Sequence, residues 1–160
     1  MVFSIAYHYL RDRCAAEEVA QDVFLQLHRR FDVFGVGPDR EKHLTHWLRK
    51  VAAHRSIDYV RRQKIQPAAG LAVNLDDAPP QGVAAEQDEK DHFMEQRLQN
   101  LIASLPEKPR MVMILRYQED LMPEEISSLL GMPVRTVKSH LQRSLAMLRE
   151  KIERSMGDLR

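Results

Sequence analysis

A chain of 160 residues is long enough for one compact domain or for two small ones. Its net charge of +1 conceals an uneven distribution of charge. Residues 1–66 contain 12 Lys or Arg and 8 Asp or Glu, and residues 106–160 contain 10 and 8. The segment between them is acidic, with 2 Lys or Arg and 7 Asp or Glu. The single cysteine, Cys14, excludes an intrachain disulfide. No apolar run is long enough for a membrane span or an export signal. We therefore predict a cytoplasmic protein without membrane insertion.

Helical spacing dominates the first part of the chain, and no segment alternates as a strand does, so the fold class is predicted to be all-α. We expect helices over 2–11, 15–31 and 40–63, with a loop at 34–39. The spacing of the second helix directs these apolar residues inward: Ala16, Val19, Ala20, Val23, Phe24 and Leu27. Its outward side chains are Glu18, Gln21, Asp22 and Gln26. The third helix is expected to turn inward Leu44, Trp47, Leu48, Val51 and Ala52.

A segment without period separates two helical blocks. Residues 65–86 are rich in Pro, Ala, Gly and Asp, a composition typical of an interdomain linker. A helix is predicted over 86–104, followed by a turn at 104–110 and by a helix that is apolar on most sides and therefore buried. We predict two small helical domains, 1–64 and 87–160, joined by a flexible linker at 65–86.

The first block contains a helix that is dense in cations. Residues 42–64 include seven Lys or Arg and a single acid, Asp58. Lys50, His54, Asp58 and Arg61 share one face, a pattern that predicts a helix following DNA with cations on phosphates. The alternative is a basic, solvated helix whose Trp47 belongs to the core, and we expect Trp47 itself to face the core.

The second block contains a helix-turn-helix pattern at 123–149. Pro123 suits the first position of a helix, Gly131 suits a left-handed stop, and a tight turn through Met132 and Pro133 begins a second helix. That helix has a basic and polar face formed by Arg135, Lys138, Ser139, Gln142 and Arg143. Such side chains bind phosphates and base edges in a groove, which predicts DNA binding. An ordinary amphipathic hairpin is the alternative.

Other chemistry is not predicted. Glu18, Gln21 and Asp22 lack an accompanying nucleophile or base, so a polar docking face is favoured over general acid–base catalysis. His43, His46 and Cys14 have no second ligand pair at metal spacing. We therefore expect neither an enzyme nor a metal, cofactor or small-molecule substrate.

The segments 16–31, 46–64 and 104–150, in this order, resemble bacterial sigma factors of the extracytoplasmic-function group, in the sigma-70 family. The resemblance implies a factor that recruits core RNA polymerase to promoters. Region 2 of the family binds the polymerase clamp and melts the −10 element, and region 4 contacts the −35 element. It also implies promoter DNA and an anti-sigma factor as partners.

The same resemblance assigns roles by position. Polymerase contact falls on Glu18, Gln21 and Asp22. Contact with the −10 element falls on Lys50, His54, Arg55, Arg61 and Arg62, and the loop 33–43 corresponds to one that captures a flipped base. Contact with the −35 element falls on Arg135, Thr136, Lys138, Ser139, Gln142 and Arg143.

The chain also departs from the family pattern. The first domain is expected to be shortened at its N-terminus, His54 stands where Asn is common, and Met122 replaces a Ser or Thr N-cap. Two other functions remain open. A polymerase-independent helix-turn-helix regulator would bind a palindromic site tightly by itself, and an interaction module would occupy polymerase without initiating.

Overall fold

The computed structural model describes residues 1–34, 37–65 and 98–157, and these are helical apart from short turns. The α-helices are α1 (Val2–Leu10), α2 (Arg13–Arg30), α3 (Arg40–Ile65), α4 (Glu107–Tyr117), α5 (Pro123–Leu130) and α6 (Val134–Gly157). A 3-10 helix spans Phe31–Phe34, and residues 98–103 are helical. The all-α prediction is confirmed. The predicted linker and residues 86–97 of the predicted fourth helix lie outside the described residues, apart from Ile65, which ends α3.

Residues 11 and 12 determine where α1 ends and α2 begins. α1 ends where Arg11 adopts a left-handed conformation, with φ of 60°. Asp12 then caps α2, because its Oδ1 accepts a hydrogen bond from the backbone N–H of Ala15 at 2.9 Å. α1, α2 and α3 pack against one another around small residues such as Ala16, Ala52 and Ala53, which allow close approach of the helices.

One inward prediction for α2 is wrong. Ala16, Val19, Ala20 and Val23 are buried as expected, but Phe24 is 53% exposed. The buried side of α2 includes fewer residues than the spacing of its apolar residues predicted, because α1 and α3 together cover only the smaller side chains of this helix. Phe24 and its neighbour Leu25 therefore lie on the surface.

The second block is built around α4. Its five consecutive residues Met111–Leu115 are all buried, which confirms the prediction from their continuous apolar sequence. α5 and α6 pack on α4 and form the helix-turn-helix. Gly131 has φ of 63° and ψ of 37°, and its N–H donates to the carbonyl of Ser127, as expected of a left-handed helix stop. On α6, Val137 and Leu148 are buried, whereas Ile152, further along, is 38% exposed.

The N-terminus of α5 lacks an N-cap side chain, but another residue of the helix compensates in part. Met122 has no side-chain oxygen to accept a hydrogen bond at the N-cap position. The carboxylate of Glu125 instead accepts a hydrogen bond from the backbone N–H of Met122 at 2.7 Å. This is one half of a capping box, and it satisfies an N–H that lies outside the helical ladder.

The two blocks share a continuous apolar core. Tyr9 and Ile5 of α1 belong to the same cluster as Met111 and Leu115 of α4. Burial raises the pKa of Tyr9 to about 12, against a smaller opposing effect of Arg110. The Arg110 guanidinium lies 5.4 Å from the centre of the Tyr9 ring and donates hydrogen bonds to the carbonyls of Leu105 and Tyr9, at 3.0 Å and 3.5 Å. A buried aromatic ring and a half-buried guanidinium therefore join the N-terminal block to the C-terminal one.

Candidate nucleic-acid interface

The second helix of the helix-turn-helix presents a polar face to the surface. We call this the recognition face, and it comprises Arg135, Thr136, Lys138, Ser139, Gln142 and Arg143. Helical spacing places these residues on one side of α6, opposite the buried Val137 and Ser144. Arg135, Lys138, Gln142 and Arg143 are exposed and the other two are half-buried. This is the arrangement that the sequence predicted for contact with a DNA groove.

Two neighbouring groups set the charge near this face. Lys138 Nζ lies 3.4 Å from Glu124 Oε1, and the backbone N–H of Glu124, followed by Lys138, lowers the pKa of Glu124. Burial, followed by the charges of Arg143 and Lys108, lowers the pKa of His140. His140 is therefore a neutral residue at neutral pH, and the positive charge of the recognition face comes from Arg135, Lys138 and Arg143.

The five α3 residues predicted to contact the −10 element divide into three sets. Lys50 and Arg62 are exposed and form no ion pair with any described residue. Arg55 faces α2, where its Nε lies 3.1 Å from Asp22 Oδ2. The others face the C-terminal block. His54 Nε2 lies 3.0 Å from the backbone carbonyl oxygen of Leu129, and Arg61 Nε lies 3.4 Å from Glu107 Oε2.

Two further cations of α3 face the C-terminal block and were not among the predicted site residues. Lys64 Nζ lies 2.7 Å from Glu107 Oε1, and Arg49 Nε lies 3.3 Å from Glu119 Oε2. Lys64, followed by Arg61, holds the pKa of Glu107 below its ordinary value. Both cations were visible as part of the basic run, but periodicity within a helix carries no information about partners 43 and 70 positions away.

The predicted docking face on α2 is only partly polar. Glu18 and Gln21 are exposed, and Asp22 is half-buried against Arg55. Beside them lies what we call the apolar groove, lined by Phe3, Glu17, Ala20, Gln21, Phe24 and Leu25. Leu25 is 58% exposed, and the Phe3 ring stacks on that of Tyr7 with centroids 5.7 Å apart. The inward assignment of Phe24 hid this groove from the sequence-based prediction.

The segment before α3 contains an aromatic cluster. Phe34 packs edge-on against Trp47, with ring centroids 5.5 Å apart, and Trp47 is half-buried, which supports its expected inward orientation. The Arg40 guanidinium lies 4.7 Å from the centre of the exposed Phe31 ring. Val33 is 80% exposed. The predicted base-capturing loop 33–43 therefore begins beside exposed aromatic surface, and its residues 35 and 36 lie outside the described part.

Within the described residues, no three His, Cys, Asp or Glu side chains come close enough together to hold a metal ion. Cys14, which was considered with His43 and His46 as a possible zinc ligand, is exposed. None of the described helices is long and apolar enough to cross a membrane.

Comparison with known protein families divides the chain as the helices do. The family described as Sigma-70 region 2 matches residues 1–65, and the family described as Sigma-70, region 4 matches residues 95–148. The first match contains the whole of α3. The second contains the recognition face.

Individual relatives extend over both regions. The chain is 27% identical to the ECF RNA polymerase sigma factor SigW of Bacillus subtilis (strain 168), over 94% of this chain and 82% of that protein. It is 30% identical to the ECF RNA polymerase sigma factor RpoE of Cereibacter sphaeroides, over 84% of this chain and 71% of the relative. It is 27% identical to the ECF RNA polymerase sigma factor SigE of Mycolicibacterium smegmatis, over 98% of this chain but only 59% of the relative.

Proposed function

The chain belongs to the sigma-70 family, in the extracytoplasmic-function group of RNA polymerase sigma factors, and on this basis we propose how its helices divide the task of promoter recognition. The C-terminal block contacts the −35 element, the N-terminal block contacts and melts the −10 element, and α2 docks on core polymerase. The observation that carries the proposal is the exposed recognition face on α6, present in one chain with the cation-rich α3.

Contact with the −35 element is assigned to the recognition face. Arg135, Lys138 and Arg143 supply the positive charge that phosphates require, and Gln142 supplies an amide that can donate to and accept from a base edge. Their exposure supports this role, because a groove-binding helix needs its polar side free. The left-handed stop at Gly131 supports it as well, since a sharp turn sets α6 at an angle to α5.

Contact with the −10 element is assigned to Lys50, His54, Arg55, Arg61 and Arg62. Unpairing and unstacking a base costs a few kcal/mol, so the melted strand must be held by the protein. Cations can bind its backbone, and pockets or aromatic surfaces can bind its bases. Lys50 and Arg62 are free for phosphates in the described structure. Phe31 and Val33 provide exposed apolar surface in the segment before α3, beside which an unstacked base can lie.

Docking on the polymerase clamp is assigned to Glu18, Gln21 and Asp22, with the apolar groove beside them. A polar rim next to exposed apolar side chains is the usual anatomy of a protein–protein interface. Phe24 and Leu25 are more than half exposed, which is unusual for large apolar residues on a helix that has a buried side. We assign these two side chains to the same contact.

Two weak DNA contacts in one chain are suited to a factor that recognises promoters only when it is bound to polymerase. Each DNA-binding block then gains from the effective concentration that the other provides, so neither needs to bind tightly alone. We propose that the chain acts in the cytoplasm by binding and not by catalysis. An anti-sigma factor is its expected regulator.

The test is run-off transcription with bacterial core polymerase and promoter DNA. We expect promoter-dependent transcripts with core enzyme and weak DNA binding by the chain alone. A polymerase-independent regulator would instead bind a symmetric operator tightly without polymerase, and an interaction module would bind core enzyme without producing transcripts. Either result contradicts the proposal.

The docking assignment has its own test. Gln21→Ala combined with Phe24→Ala should weaken binding to core polymerase, because it removes an amide and an aromatic ring from the apolar groove. Tyr117→Ala is the matched control, since Tyr117 is an equally exposed aromatic residue on α4. Gln21→Ala with Asp22→Ala should also weaken core binding. Unchanged affinity for core enzyme in both α2 variants would refute the assignment.

A further inference from the structure

Resting on the −35 contact proposed above, we propose that Glu124 weakens the binding of the free chain to DNA of arbitrary sequence. Its carboxylate holds the ammonium group of Lys138, so this cation can bind a phosphate only after the ion pair has broken. Glu124 lies on α5, outside the set of side chains assigned to DNA.

Glu124 and Lys138 meet across the helix-turn-helix. Glu124 is in the first turn of α5, and its Oε1 lies 3.4 Å from Nζ of Lys138 on α6. The other two cations of the recognition face, Arg135 and Arg143, are exposed and form no ion pair with any described residue. Among the described residues, Lys138 is therefore the cation of this face that already has an anionic partner.

The ion pair is not what holds the two helices together. The side chains of Glu124 and Lys138 are 61% and 58% exposed, and ion pairs so open to solvent contribute little to stability. The buried residues Ile126, Leu129 and Val137 join α5 to α6 through the apolar core. Since both ends of the pair are accessible, a phosphate can reach Lys138 and compete with the carboxylate.

The carboxylate of Glu124 is held in its charged form. The hydrogen bond from its own backbone N–H is the largest effect on the pKa of Glu124, which is lowered, and Lys138 acts in the same direction. The N-terminus of a helix also favours a negative charge, because of the helix dipole. Glu124 is therefore an anion at neutral pH even when Lys138 is replaced or is bound elsewhere.

The position of α5 brings this pair close to the path of the DNA backbone. In a helix-turn-helix the second helix enters the major groove and the first helix crosses the phosphate backbone. The start of the first helix, where Glu124 lies, therefore adjoins the phosphates at the edge of the groove. Lys138 stands between two anions, the carboxylate and a phosphate, and binding to one of them is lost when it binds the other.

Weak binding to arbitrary DNA suits a factor that is recruited by polymerase. Non-specific affinity comes almost entirely from phosphate contacts, and a genome offers a very large number of such sites. An acid that occupies one cation of α6 leaves more of the chain free to meet core enzyme. Once the chain is bound to polymerase, the effective concentration supplied by its other contacts compensates for the weaker one.

The experiment measures binding of the full chain to a mixed-sequence duplex, without polymerase, at salt concentrations from about 50 mM to about 200 mM. Glu124→Gln is compared with Glu150→Gln. The control changes the net charge equally, because Glu150 is also 61% exposed and pairs with Arg154 of its own helix. Both substitutions are repeated in a Lys138→Gln background, which completes a double-mutant cycle.

We expect Glu124→Gln to bind the duplex about twofold to fivefold more tightly than Glu150→Gln, the effect of releasing one exposed ion pair. The slope of log affinity against log salt should steepen by about 0.9, as for one additional phosphate contact. Both differences should disappear in the Lys138→Gln background. Equal or weaker binding by Glu124→Gln overturns the proposal. A gain that persists without Lys138 also overturns it, because Glu124 would then act through its charge alone.

Thermal denaturation followed by circular dichroism establishes that the variants are folded. If Glu124→Gln loosens α5, the pair is tested from its other side, by Lys138→Gln and Arg143→Gln in the otherwise unaltered chain. Lys138→Gln should then flatten the salt dependence less than Arg143→Gln does, because only Lys138 is already paired. Equal flattening overturns the proposal.

The role of Glu124 and the proposed function fail in different ways. Duplex binding that Glu124→Gln leaves unchanged overturns only the role of Glu124, and run-off transcription still decides whether the chain initiates at promoters. Absence of duplex binding at low salt in every variant would overturn the −35 assignment, and the role of Glu124 with it.

Discussion

Asp22 of α2 and Arg55 of α3 form an ion pair, with Oδ2 3.1 Å from Nε. The first residue is assigned to polymerase and the second to the DNA backbone, so the pair joins the two surfaces of the N-terminal block. Their side chains are 47% and 33% exposed, which leaves each residue partly accessible to its proposed partner. We therefore expect the proposed docking of Asp22 and the positioning of Arg55 to be coupled through this ion pair.

A double-mutant cycle with Asp22→Asn and Arg55→Gln should measure this connection. We expect a coupling of about 0.2–1 kcal/mol in the free energy of unfolding, the range of partly exposed ion pairs. The measurement is urea denaturation of the two single variants and the double variant. A cycle of Asp22→Asn with Lys50→Gln is the control, because Lys50 has no ion pair among the described residues. Additive effects in the Asp22–Arg55 cycle would show that the pair is not maintained in solution.

Arg143→Ala should weaken promoter use that depends on the −35 element and leave polymerase binding intact. The exposed guanidinium lies on the recognition face, where loss of a base or phosphate contact is expected to cost about 1–3 kcal/mol. Run-off transcription from a promoter with and without its −35 element measures the effect. Arg149→Ala removes the same charge from the same helix two turns beyond Gln142 and should have a smaller effect. Loss of core binding by Arg143→Ala would mean that the role is misassigned.

The sequence predicted the features that depend on neighbouring residues. Apolar spacing located the helices, the continuous run at Met111–Leu115 indicated a buried helix, and Gly131 marked the end of α5. Each signal acts over one or two helical turns. The recognition face was found for the same reason, since its members share one side of a single helix.

The features that the sequence did not predict depend on contacts between distant elements. Phe24 has the spacing of a core residue, but no other helix among the described residues covers it. Glu107 pairs with Arg61 and Lys64 across more than 40 positions, and nothing in the local pattern specifies those partners. Burial and pairing of this kind depend on how the helices pack against one another. The periodicity of apolar residues within one helix does not specify that packing.

Lowering the pH should weaken the contact between the blocks at Glu107. Lys64, followed by Arg61, holds the pKa of this carboxyl below its ordinary value, and Tyr9 also faces it. A carboxyl whose pKa is lowered by folding contributes stability that is complete above its unfolded pKa, which is about 4.3 for Glu. That contribution is lost as the pH falls through the lowered, folded value.

The chain should therefore be more stable than its Glu107→Gln variant at neutral pH, and the difference should vanish in acid. Melting temperatures from about pH 6 down to about pH 3 cover the range, since the ordinary pKa of Glu lies within it. Glu150→Gln is the control, because it neutralises an exposed acid whose ion pair among the described residues is with Arg154 of the same helix. A difference that does not change with pH would contradict the assignment of this ion pair.

Gly131→Ala should destabilise the chain by about 1–2 kcal/mol, the usual cost of a left-handed conformation for a residue with a Cβ. No atom of the described residues lies within 4 Å of the position that this Cβ would occupy, so the cost comes from the backbone, at φ of 63°. Gly37→Ala is the matched control, because its surroundings are equally open and its φ is not in the left-handed region. It should be neutral or stabilising by up to about 1 kcal/mol. Equal effects of the two substitutions in thermal denaturation would exclude the backbone explanation.

Two buried serines should respond in opposite ways to replacement by alanine. Ser56 and Ser144 are 0% and 1% exposed. Ser56 Oγ donates a hydrogen bond to the carbonyl of Ala52 at 2.8 Å, whereas Ser144 Oγ has no hydrogen-bond partner among the described residues. A buried hydroxyl without a partner loses its hydration and gains nothing in return. Ser144→Ala should therefore raise the free energy of unfolding by about 1 kcal/mol, and Ser56→Ala should lower it by about the same amount. Urea denaturation of the two variants gives both values, and a loss of stability in Ser144→Ala would show that its hydroxyl does have a partner in solution.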